Sequence, residues 1–249
     1  MRVTYGRVLI LVALIALWEI PARLGLVHAL LLTPFSATVE TLARVLGSGG
    51  PIGNFYPHLL TTLFEIVGAY AIAVCLGLVV GAALGSIRSA GDVFEPLILG
   101  FYSVPTVIFY PIVFLTLGLG PSSKIVYGAI LGFFPILTSA LAGIRQVDRS
   151  LITTAYAFGA SPRQIAFKVV LPASAPVILS GLRLGLNLTL IGVFAGELIA
   201  SAGGLGYLIV WAGSTLRIDV LFALVLLTLV LAVGGNQGLA ALERRWRRA

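Results

Sequence analysis

Runs of about 20 apolar residues recur along this chain, and each is long enough to cross the hydrocarbon core of a bilayer as an α-helix. Six of them stand out: about Val8–Val27, Leu59–Leu84, Pro96–Leu117, Ile125–Ala142, Pro176–Ala200 and Val220–Leu239. In lipid every backbone N–H and C=O must find its partner within the protein, so segments of this kind fold as helices. Charge supports the same reading. Only 10% of the 249 residues are charged and 59% are hydrophobic, with a mean hydropathy of +1.09, whereas soluble domains carry about 25% charged residues. The expected fold is all-α: a polytopic membrane protein of about six transmembrane helices forming a single domain over residues 1–249.

The basic excess reads as membrane orientation. Net charge is +7, but the Lys and Arg residues sit at the ends of apolar segments instead of forming the stripe that nucleic acid requires. With both termini in the cytoplasm, Arg23, Arg44, Lys124 and Arg217 lie outside. All the others lie inside, including Arg88, Arg145, Arg149, Arg163, Lys168, Arg183 and the terminal ERRWRRA. The positive-inside rule selects this topology. Arg2 and Arg7 before an apolar run imitate a signal peptide, but Glu19 ends the run and no small-x-small site follows, so an uncleaved first span is expected. The single cysteine, Cys75, excludes an internal disulfide and reads as a small side chain in an apolar helix.

Several features describe the inside of the bundle. Gly77, Gly81 and Gly85 are four apart and share one helical face, where another helix of the same subunit or of a second one can approach closely. Pro105, Pro111 and Pro135 break backbone hydrogen bonds, which is tolerated where helices pack or line a cavity. Candidate pathway residues are therefore Ser103, Pro105, Thr106, Asn187, Thr189 and Glu197, with interhelical bonding an equal reading for Asn187 and Thr189. Intramembrane carboxylates are costly and usually paired or facing water. Glu65 lies near the outer end of its span and is expected to reach the interface; Glu197 either contacts the Gly203–Tyr207 segment, GGLGY, or lines a gate. A short amphipathic helix is expected on the outer surface over Ser36–Leu46.

No catalytic set is present in the sequence. There is no P-loop lysine, no H-E-x-x-H and no G-x-S-x-G, and GGLGY lacks the strand before it and the lysine after it that a phosphate cradle needs. The chain reads as a non-enzyme without cofactor or metal, and any ATP-driven work must come from a separate chain.

That work has an obvious point of entry. Between the fourth and fifth apolar runs, at about 145–175, lies the polar, basic stretch DRSLITTAYAFGASPRQIAFKVVLP. Asp148 and Ser150 are cap candidates for a short helix over Leu151–Phe158. Gly159 permits the turn that ends it, and Pro162 can start a second helix with an apolar face of Ile165, Ala166 and Val169. Gly159 is followed after nine residues by Val169, then Val170, Leu171 and Pro172. This pattern, with the Gly159–Ala160–Ser161 triplet, resembles the EAA loop of binding-protein-dependent ABC importer permeases. Thr153, Thr154 and Ala155 occupy the Glu-Ala-Ala slot, so the glutamate is absent. LWEIPARLG, Pro34–Phe35–Ser36, FLTLGLGPSSK, FFPIL, Ala195–Gly196–Glu197 and GGLGY extend the resemblance to the nitrate/sulfonate/taurine permease group.

The resemblance implies a type I importer permease fold in a bacterial inner membrane, with the loop acting as a cytoplasmic coupling helix. Its coupling residues would be Thr153, Thr154, Ala155, Gly159, Ala160, Ser161, Leu171 and Pro172. The implied partners are two ABC ATPase subunits, an extracytoplasmic substrate-binding protein and a second permease copy, as a homodimer or paired with a different permease. The implied cargo is a small anion such as a sulfonate, nitrate, taurine or carboxylate, with pyrimidine or vitamin-precursor ligands as alternatives. An ion-driven secondary transporter would instead show internal repeats and paired midplane charges, and a membrane enzyme a cluster of His, Asp or Glu at one depth; neither pattern is evident.

Overall fold

The computed structural model describes residues 2–28, 30–48 and 52–246. Gly49, Gly50 and Pro51, in the long connection between the first two apolar runs, and Arg247 and Arg248 of the basic terminus lie outside them. Every regular element among the described residues is helical: α1 (Arg2–Arg23), α2 (Phe35–Ser48), α3 (Phe55–Ser86), α4 (Arg88–Ser103), α5 (Tyr110–Leu117), α6 (Pro121–Arg145), α7 (Arg149–Ala157), α8 (Pro162–Ile165), α9 (Leu171–Ile199), α10 (Leu205–Ser214) and α11 (Ile218–Trp246). Four described helices are long and apolar enough to cross a membrane, namely α3, α6, the continuous Pro162–Ile199 rod and α11 over Ile218–Ala241. A bent pair, Ser89–Ser103 with Thr106–Leu117, makes up to five.

The bent pair covers the third expected span, Pro96–Leu117, which is interrupted at Pro105 as its prolines suggest. The chain leaves the helix at Val104 and Pro105, both with extended ψ, and the two halves meet at 79°. Pro105 cannot donate a backbone hydrogen bond, and it disfavours helical geometry at the residue before it. By contrast Pro135 is absorbed inside α6, which runs uninterrupted for 25 residues.

The core is a three-helix slab of α3, α6 and α9, and small residues set its spacing. A Cβ on Gly81 would lie 2.5 Å from the Leu137 carbonyl oxygen and 2.7 Å from Ala140 Cβ; Gly77 and Gly85 meet Ile136 and Ile144 in the same way. The glycine face of α3 is therefore filled by α6 of the same chain. On the other side of α6, Gly128 and Gly132 face α9, and Gly192 and Gly185 face back. Tyr70 on α3 reaches across and donates to the Leu182 carbonyl at 3.1 Å.

Two smaller helices close the α3 N-terminal end. The amphipathic α2 is slightly longer than the sequence suggested. It is clasped to α1, whose Glu19 accepts hydrogen bonds from Ser36 N (3.0 Å) and Ser36 Oγ (2.7 Å) and pairs with Arg23, while Trp18 Nε1 donates to Thr33 O at 2.9 Å. Val45 of α2, Phe55 of α3, Leu205, Leu208 and Ala212 of α10 and Val220 and Leu224 of α11 form a second buried cluster there.

Candidate functional site

Two constellations sit at opposite ends of the rod. At its start, the polar loop folds as α7, a left-handed turn and α8. Asp148 caps α7 by accepting the Ser150 N–H at 2.8 Å, and that bond holds its carboxyl below the ordinary carboxylate range. Gly159 sits at φ 75°, a conformation that costs an ordinary residue strain, and Ala160 N closes the turn on Ala155 O at 3.0 Å. Ser161 and Gln164 form a reciprocal capping box with Pro162 in the first turn. The expected second short helix does not stand alone: after Ile165 a π-helical turn, Ala166–Val170, runs straight into α9.

This places Thr153, Thr154, Gly159, Ser161, Leu171 and Pro172 on the exposed surface and leaves Ala155 and Ala160 half-buried. The exposed side also carries aromatic rings that the sequence reading did not single out. Phe158 is 87% exposed, and Tyr156, two residues before it, and Phe167, in the π-helical turn, are also open. A phenylalanine directly before the turn glycine was the available signal. Behind the loop, Arg145 at the end of α6 forks to Asp92 Oδ1 and Glu95 Oε2 of α4, both at 2.8 Å. A cavity of about 540 Å³ lies between, lined by Ser86, Asp92, Arg145, Arg149, Ile165 and Val170 among others.

At the other end of the rod is a buried polar knot. α10 begins at Gly204 (φ 102°) without a capping side chain of its own. Its first N–H groups are taken instead by side chains from α3 and α9. Gly204 N donates to His58 Nδ1 at 3.2 Å, Leu205 N to Thr62 Oγ1 at 2.8 Å and Gly206 N to Glu197 Oε2 at 2.6 Å. Thr62 Oγ1 in turn donates to Glu197 Oε1 at 2.6 Å. The glycines of GGLGY have a specific use here, since a Cβ on Gly204 or Gly206 would collide with the Glu197 side chain.

Glu65 and Lys124 complete the knot. Glu65 is 1% exposed, which overturns the expectation that it reaches the interface. It lies in contact with Glu197 and in the field of Lys124, and its Oε2 has no hydrogen-bond partner. Lys124, fully buried, donates to Leu119 O at 2.5 Å and Gly120 O at 3.2 Å. Tyr110 of α5 donates to Gly196 O and Ala200 O, both at 2.8 Å. Side chains of α3 and α9 thus hold the start of α10, Tyr110 ties α5 to the end of α9, and Lys124 closes the connection between α5 and α6. The buried Lys124 charge acts on both carboxylates through space and offsets part of the desolvation they suffer.

The other candidate pathway residues are dispersed. Ser103 and Pro105 are exposed at the α4–α5 bend and Thr106 is half-buried beside them, with Ser103 Oγ turned back onto Gly100 O. Asn187 is half-buried on α9. Thr189 is wholly buried, its Oγ1 pressed against Gly132 in the α6–α9 seam. Of the six, Glu197 alone joins the knot.

Comparison with known proteins connects these features to a family. The model for the binding-protein-dependent transport system inner membrane component matches residues 73–248. The taurine transport system permease protein TauC of Escherichia coli is 34% identical over 94% of this chain and 86% of the relative. The formylaminopyrimidine transport permease protein ThiX of Halalkalibacterium halodurans is 28% identical over 78% of this chain and 75% of the relative. A chain of the MetNI methionine ABC transporter, solved in an inward-facing conformation, superposes with a TM-score of 0.60 at 22% identity, covering 75% of this chain and 94% of that one.

Proposed function

The chain belongs to the binding-protein-dependent transport system inner membrane component family, and from that premise we propose how it works as the permease subunit of an ABC importer. With α1, 22 residues long, and the bent α4–α5 pair counted as spans, six cross the membrane and both termini lie in the cytoplasm. The basic residues then concentrate on the α7 side, as the positive-inside rule requires. α7 is the coupling helix and enters a groove on a separate ATPase subunit. One observation carries this reading: a capped helix stands out from the bundle, stopped by a left-handed glycine and presenting Phe158 87% exposed. With Tyr156 and Phe167 also open, three exposed rings on one loop suit a partner surface better than singly scattered apolar residues would. Thr153 donates to Arg149 O at 2.9 Å and carries no charge, so contact with the ATPase rests on shape and aromatic surface.

The assembly follows from the resemblance: two permease copies as a homodimer, two ATPases and an extracytoplasmic binding protein that delivers cargo to the α10 end. Similarity to TauC favours a sulfonate-like small anion. Similarity to ThiX keeps a pyrimidine precursor as the second reading. The test is co-purification with the ATPase and uptake in proteoliposomes. Phe158→Asp should lose the ATPase while the permease remains monodisperse. If the variant holds its ATPase as tightly as the unmodified chain, α7 is not the coupling element.

A further inference from the structure

We propose that Glu197 is a positioning residue for transport, and that it fixes α10 to α3 and α9 so that the outer end of the permease moves as one block and α10 is not a lid. This rests on the importer reading above and adds to it a division between fixed and moving parts.

The argument starts from the ends of helices. The first N–H groups of a helix have no partner within it and are usually met by the helix's own N-cap side chain. Gly204 offers none. Three successive N–H groups, of Gly204, Leu205 and Gly206, are instead held by His58 and Thr62 of α3 and by Glu197 of α9. Swinging α10 away would strand all three donors together with a carboxylate that is 1% exposed. Such groups are costly to leave unpaired in a buried site.

The contacts between side chains point the same way. His58 and Tyr207 stack at 5.6 Å with their rings 11° apart, which ties the second turn of α3 to the first turn of α10. Both Glu197 oxygens have partners, one on each of the two elements it joins. No space remains at Gly204 or Gly206 for the contact to slide. Outward opening must therefore take place at the boundary of this block, and the knot must stay closed throughout the cycle.

The experiment uses the reconstituted permease–ATPase–binding-protein complex. Spin labels go on the exposed Leu60→Cys of α3 and Ser214→Cys of α10, in a Cys75→Ala background. The distance between them should be the same without nucleotide and with ATP-vanadate trapped. A shift of about one helical turn, ~5 Å, between the two states would make α10 a lid and overturn the proposal. Glu197→Ala and Thr62→Val should broaden the distance distribution and lower uptake about tenfold or more, the loss expected from one charge-assisted hydrogen bond. ATP hydrolysis should continue, and Thr62→Ser, which keeps the hydroxyl, should restore uptake. Full uptake in Glu197→Ala would also overturn it. If that variant does not fold, the labelled parent and the Thr62 pair decide. Absence of ATP-dependent uptake by the unmodified chain would count against the importer reading instead.

Discussion

Replacing Gly81 by alanine tests whether glycine spacing sets the architecture of the slab. The added Cβ would lie 2.5 Å from the Leu137 carbonyl oxygen, where ordinary contact begins near 3.4 Å. The obstacle is α6 backbone, so relief requires the two helices to part by about 0.9 Å over this turn. Overpacking of this kind costs about 1–3 kcal/mol, and a rigid carbonyl places it in the upper part of that range. Alanine also returns about 1 kcal/mol as a better helix former than glycine. Gly81→Ala should therefore destabilise by a net ~1–2 kcal/mol. Gly100→Ala is the matched control: it is also helical, yet its Cβ would have nothing within 4 Å, so it keeps only the propensity gain. The two variants should differ by about 2–3 kcal/mol in a denaturation titration in detergent, or by several degrees in Tm, at about 2–4 °C per kcal/mol. If Gly81→Ala proves as stable as Gly100→Ala, close approach of α3 to α6 is not what the glycines serve.

Two further outcomes concern the loop. Gly159→Val should fold but lose coupled uptake, because φ 75° is strained for a β-branched residue and nothing packs near that Cβ to hold it; uptake per ATP hydrolysed by the complex is the measurement, and an unchanged ratio contradicts the turn's role. The Asp148 carboxyl titrates lower in the folded chain than when unfolded. Its contribution is thus complete at neutral pH, and it is lost as pH falls through the lowered value. Hydrogen exchange at the Ser150 amide should accelerate in Asp148→Ala relative to the unmodified chain at pH 7; equal protection would show that the cap does not hold α7.

The spans α3, α6, Pro162–Ile199 and α11 were legible because length and hydropathy report directly on burial in lipid. So was α7, where Asp148, Gly159 and Pro162 each carry a local geometric meaning. A break at Pro105 was expected, but not its 79° angle: how sharply a proline turns a helix, or whether it is accommodated as Pro135 is within α6, is decided by packing. The knot was even less accessible. Thr62 and Glu197 are 135 positions apart, and Lys124, four residues into α6, has the sequence position of a lysine reaching the interface. Glu65 was read in the same way. Contact between Glu197 and GGLGY was one of the two readings open for that carboxylate, and the Gly206 N–H bears it out; that His58 and Thr62 of α3 hold the same helix start has no local signature.

The continuous helix from Pro162 to Ile199 has a mechanical consequence. At 38 residues and 1.5 Å per residue it is a shaft about 57 Å long. It starts beside the left-handed turn at Gly159 and ends two residues past the carboxylate that grips α10. A tilt of only ~5° at its foot would carry its far tip about 5 Å sideways, taking α10 with it. The π-helical turn at Ala166–Val170 is an irregular joint near the foot of that shaft, where leverage is greatest: a slight rewinding there would swing the α10 end, with α3 and α6 following through the seams they share with α9.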